Sequence, residues 1–84
     1  MDFEQKVIEV RGKEYTLQKL PLRKAMEIRQ KWILSNGGYD DIAMCDECFK
    51  HIVVSPKVKL DDFTSLTEVE EIVTKALEFQ YEGE

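Results

Sequence analysis

Residues 65–80, SLTEVEEIVTKALEFQ, constrain the fold more than any other stretch of the chain. At about 100° per residue, Leu66, Val69, Ile72, Val73, Ala76, Leu77 and Phe79 fall on one broad face, the pattern of a helix that covers a core. Ser65 followed by Glu68 is a capping-box start. Glu71 and Lys75 stand in the favourable i,i+4 order on the opposite face. The helix is expected to span residues 65–81, with YEGE at 81–84 as a fraying tail. Such a face is stable in water only against a complementary surface. The chain has 84 residues, room for one small domain over 1–84, so the remaining 60-odd residues must supply that surface.

Residues 7–17, VIEVRGKEYTL, alternate apolar and polar side chains around a glycine. They predict a β-hairpin over about residues 6–18. A two-residue turn at Gly12-Lys13 would pair Val10 with Tyr15 and Ile8 with Leu17, all four on one face. A lone hairpin is marginal in water, so this face is expected to meet the helices.

Pro21 suits the first position of a helix over about residues 21–35. Leu22, Ala25, Met26, Ile28, Trp32 and Ile33 share a wide arc, and Arg29 lies inside it. SNGG at 35–38 supplies the stop. A further helix is expected over about residues 40–54, capped by Asp40 and ended by Pro56; residues 57–63 read as a connection. The predicted fold is therefore α+β, mainly α: an N-terminal hairpin followed by three amphipathic helices.

The one chemical-looking segment is MCDECFKH, with Cys45, Cys48 and His51. On the predicted helix both cysteines fall within the apolar arc, beside Ile42, Phe49, Ile52 and Val53, and His51 falls at its edge. A structural zinc site needs four ligands, and this half-site offers three. A redox pair wants its first thiol at a helix N-terminus or beside cations, whereas Asp46 and Glu47 separate these two. Buried thiols and a boundary histidine are the favoured reading, leaving Cys45, Cys48 and His51 as weak metal candidates. No nucleophile, base or phosphate-loop pattern appears elsewhere, so no enzyme and no cofactor is expected.

Charge narrows the partners. The net charge is −5, divided unevenly: residues 1–34 hold eight Lys/Arg against five Asp/Glu, and residues 35–84 hold four against twelve. The acidic part repels nucleic acid and anionic lipid, and the basic part lacks aromatic interleaving for base stacking. No apolar run reaches membrane-spanning length. The start, MDFEQKVIEV, has no signal-peptide pattern, and two unpaired thiols suit a reducing cytosol. Three wide apolar arcs and a hairpin face are more than one small core takes, so part of them is expected to face a partner. The candidates are Arg29, Trp32 and Ile33 on the first helix and Val69, Ile72, Val73 and Leu77 on the third. Arg29 is further expected to be partly buried and paired with a carboxylate. Opposite charge in the two parts could also orient copies of the chain head to tail, as a homo-oligomer.

The order of segments, with VRGKEYTLQKLPLRKAMEIRQ leading from hairpin to helix, HIVVSPKVKLDDF closing the central helix and SLTEVEEIVTKAL following, resembles the small tail assembly chaperones of long-tailed bacteriophages and prophages of Gram-positive bacteria. The resemblance spans about residues 6–80 and carries no catalytic motif. It implies a protein of the bacterial host cytoplasm that binds the hydrophobic, helical tape measure protein, keeps it soluble, and helps tail tube protein assemble around it during virion morphogenesis. A small zinc-stabilised or purely protein-binding adaptor of the bacterial cytoplasm is the alternative function.

Overall fold

The computed structural model describes residues 4–82. Strands β1 (Gln5–Val10) and β2 (Lys13–Gln18) form the expected antiparallel hairpin. Its turn, however, is Arg11-Gly12, so that Val10 faces Lys13, Ile8 faces Tyr15 and Lys6 faces Leu17. Both turn residues take positive φ, 54° at Arg11 and 81° at Gly12, as a turn matching the strand twist requires. A turn at Gly12-Lys13 would have placed lysine at the second left-handed position, which glycine fills without strain. The register moves by two residues and parity is kept, so Ile8, Val10, Tyr15 and Leu17 still share one buried face,.

Helix α1 (Leu22–Arg29) starts after Pro21 and is shorter than expected. Gln30–Trp32 tighten into a turn, with Lys31 donating to the Ile28 carbonyl at 3.0 Å and Trp32 to Arg29 at 3.2 Å. The chain then reverses. Ile33 bridges Tyr39, Leu34 donates to Gly38 at 2.9 Å and Gly37 to Leu34 at 3.0 Å. SNGG is thus the tip of a small loop, with Gly37 at φ 87°, and the helix has already ended six residues before residue 35.

Helix α2 (Asp41–Glu47) is capped as expected: the Asp40 carboxylate accepts from the Ala43 amide at 3.1 Å. It continues as a π-helical turn, Cys48–Ile52, closed by the Val53 amide on the Cys48 carbonyl. The next residues leave the helix for strand β3 (Val53–Ser55), which pairs antiparallel with β2. The expected helix to residue 54 is corrected here. Two β-branched valines favour the pleated conformation, and β2 offers them a free edge. The sheet order is β1-β2-β3, a strand more than expected. Gln18 Nε2 donates to the His51 carbonyl at 2.9 Å, and the Lys57 ammonium donates to the Lys50 carbonyl at 3.2 Å. These satisfy carbonyls that the wide turn leaves without helical partners.

Residues 57–63 form the expected connection, with a short 3₁₀ turn at Leu60–Asp62. Helix α3 (Leu66–Tyr81) matches its expected bounds. Ser65 Oγ accepts from the Glu68 amide at 3.3 Å. Glu71 approaches Arg11 at 3.5 Å, tying the hairpin turn to the start of the helix. Val69, Ile72, Val73, Ala76 and Phe79 are buried against the hairpin face and the π-helical turn. A side chain such as Ile72, fully buried, contributes about 1.5–3 kcal/mol.

Tyr81 is not frayed: its hydroxyl donates to the Ala25 carbonyl at 2.6 Å, and its ring meets Trp32 edge-on at 6.3 Å. Gly83 and Glu84 lie outside the described residues. The fold is α+β, a three-stranded antiparallel sheet with three α-helices around one core.

Candidate functional site

The cysteine segment lies where α2 becomes the π-helical turn. Cys48 is buried in the core, and burial pushes its thiol up to about 12, with Cys45 and Glu47 adding to the shift. Cys45 is half-buried; burial first, then the carboxylates of Asp41, Asp46 and Glu70, raise it too. Both thiols are therefore held protonated, the opposite of a reactive pair.

His51 lies 3.3 Å by its Nε2 from Glu47 Oε1, which is 3.6 Å from Lys31 Nζ. The His51–Glu47 approach is close enough for charge attraction but not aligned as a hydrogen bond, and both atoms are buried without a hydrogen-bond partner. Burial lowers the His51 pKa more than Glu47 raises it, and Lys50, Lys31 and Lys24 lower it further. The extra residue of the π-helical turn separates His51 from the cysteines in helical phase. Among the described residues no three His, Cys, Asp or Glu side chains are gathered to hold a metal ion, so the Cys45, Cys48 and His51 half-site lacks its geometry.

The partner-binding candidates separate into two groups. Trp32, Val69 and Ile72 are buried within the chain's own core, and Val73 is buried there too but reaches the wall of the α2–α3 groove. Ile33 and Arg29 remain at the surface, and Leu77 is half-buried. Arg29 is exposed, with its guanidinium 5.9 Å from the Tyr81 ring centroid, and makes no ion pair with a carboxylate of the described residues. The expected pairing is replaced by an aromatic contact because Tyr81 is anchored beside α1 rather than frayed.

The free apolar surface lies elsewhere. On α1, Leu22 is 69% exposed and Met26 50%. Leu34 and Tyr39 project from the loop, and Ile42 and Leu66 stand out at the starts of α2 and α3. Between α2 and α3 runs a groove of about 430 Å³, lined by Met44, Cys45, Leu66, Val73 and Leu77, with Asp41 and Glu70 at its margin. The sequence arcs contained Leu22, Met26 and Leu66, but periodicity alone does not separate the edge of an arc from its centre. For Leu22 and Leu66 the signal that could have separated them is position: each is the first residue of its helix and extends past the surface that the helix covers.

No helix of the described residues is long and apolar enough to cross a membrane. No family model, curated protein or solved structure matches this chain.

Proposed function

We propose that this protein works by binding apolar helical segments of another protein, as a tail assembly chaperone that holds the tape measure protein soluble in the bacterial cytoplasm during phage tail morphogenesis. The observation that carries the reading is the set of large apolar side chains left outside a complete core: Leu22, Met26, Leu34, Tyr39, Ile42 and Leu66. The core closes without them, so they are surplus to folding, and apolar surface of this kind receives amphipathic helices by non-directional burial. Two thiols held protonated support binding rather than catalysis. The resemblance to tail assembly chaperones implies the tape measure protein as the ligand and tail tube protein as the subunit then recruited.

The test is co-expression with the tape measure protein of a long-tailed phage, the large protein of the pair. The soluble fraction of the large protein rises several-fold when this chain is present. Equal solubility with and without it removes the reading.

A further inference from the structure

The α2–α3 groove combines an apolar lining with charge that the chain itself leaves unanswered. The lining is mainly apolar, Asp41 and Glu70 are the charged residues at its margin, and no lysine or arginine lines it. Elsewhere the carboxylates of α2 and α3 have cations: Arg11 approaches Glu71 at 3.5 Å and Lys31 approaches Glu47 at 3.6 Å. Asp41 and Glu70 are exposed and make no ion pair among the described residues. Both lie close enough to raise the Cys45 thiol. Past Glu70, the outer face of α3 adds Glu71 and Glu78 against Lys75. An apolar channel in a net negative field attracts cations and disfavours acids.

The walls set the shape of what fits. Both are helices, which offer no strand edge for an extended chain to pair with, so an occupant must bring its main chain already hydrogen-bonded, as a helix does. The groove runs along α3 from Leu66 to Leu77, about 16 Å at a helical rise of about 1.5 Å per residue. That length takes about three turns, with apolar anchors spaced i, i+3 or i+4, and i+7. We propose that the groove takes a basic amphipathic helix of another protein, its apolar stripe on the lining and its flanking lysines or arginines against Asp41 and Glu70. The proposal rests on the reading that this chain binds apolar helical segments, and adds which of them it selects. A stripe bordered by cations is accepted, and an equally apolar stripe bordered by acids is turned away by like charge. The contact is small against the roughly 1,200–2,000 Å² of a stable interface, so binding of one such helix is weak, with a dissociation constant on the order of 0.1 mM.

Two synthetic helices of about 18 residues test this, alike in their leucine stripe, one bordered by lysine and the other by glutamate. Each is labelled, kept at trace concentration and titrated with the purified chain at about 50 mM salt, where exposed charges are least screened, and binding is read by fluorescence anisotropy. The lysine helix binds at least about tenfold more tightly than the glutamate helix, and the preference fades toward about 0.5 M salt. Cys45 lines the groove while Cys48 is fully buried, so alkylation of Cys45 slows as unlabelled lysine helix is added. Asp41→Asn with Glu70→Lys, both at exposed positions, reverses the preference. Equal affinity for the two helices overturns the proposal, as does binding that leaves Cys45 alkylation unchanged, which puts the helix on another surface. So does Cys45 protected by raising the concentration of the chain and not by the helix, which gives the groove to a second copy. The comparison of the two helices uses the parent alone, so it decides the matter whether or not the variant folds. No tail protein is needed: failure of co-expression removes the chaperone reading, and failure of charge preference here removes the selectivity.

Discussion

The two ends of α3 are built differently. At the C-terminal end, polar atoms go inside and are paired. Gln80 is buried and makes two hydrogen bonds with the backbone of Leu20, accepting from its amide at 2.6 Å and donating to its carbonyl at 3.1 Å. Tyr81 reaches the carbonyl of Ala25. At the N-terminal end, Leu66 stands in solvent, and the buried hydroxyl of Tyr15, close enough to feel the Glu68 carboxylate, has no hydrogen-bond partner. Hydrophobic burial alone would let α1 slide along α3, because it is non-directional. The paired polar atoms fix one position, and they do so at the end where α1 must be held. The other end is left as surface.

The largest effect should come from breaking the closed end. Gln80→Ala leaves the amide and carbonyl of Leu20 buried without partners, a loss of about 2–4 kcal/mol of unfolding free energy, measured by urea denaturation. Tyr81→Phe removes one hydroxyl from the same end and should lose about 1 kcal/mol. Tyr15→Phe is the same chemical change at the other end, where burial and Glu68 raise the pKa of an unpartnered hydroxyl; it should be neutral or stabilising by up to about 1 kcal/mol. Opposite signs for the two Tyr→Phe variants sharpen the contrast, and equal losses would break it. The smallest effect concerns pH. His51 is held with its pKa below its ordinary value of 6.5, burial being the main cause. The unfolded chain then binds the proton more tightly, so this contribution to stability is present above pH 6.5 and is lost as pH falls toward the folded value. A His51→Gln variant should lose less stability than the parent between pH 7 and pH 5. Parallel curves would show that His51 titrates alike in both states.

Legibility followed the same division. Helix α3 could be read to within a residue because its period, its Ser65 cap and its length all agree. The hairpin face was also readable, although its turn was not, since a two-residue shift leaves the same side chains inward. The end of α1 was hidden because Trp32 and Ile33 continue the helical phase while the chain has already turned. Strand β3 was hidden behind a helix signal, and only the paired valines before Pro56 hinted at it. Gln80 was readable in principle: it sits on the apolar face beside Ala76 and Phe79, and a polar residue there asks for a buried partner. Its partner, the backbone of Leu20, is 60 residues away and leaves no mark in local sequence. The α2–α3 groove is a property of two elements together, so neither helix announces it alone.

The link from Leu20 to Gln80 also sets an order on synthesis. The hairpin can form within about 1–10 μs of leaving the ribosome, but α1 has nothing to lock against until Gln80 has emerged. At about 5–20 residues per second, those 60 residues take roughly 3–12 s. For that interval the hairpin, marginal by itself in water, forms and opens with no cover for its apolar face, and folding completes only when the last turn of α3 arrives.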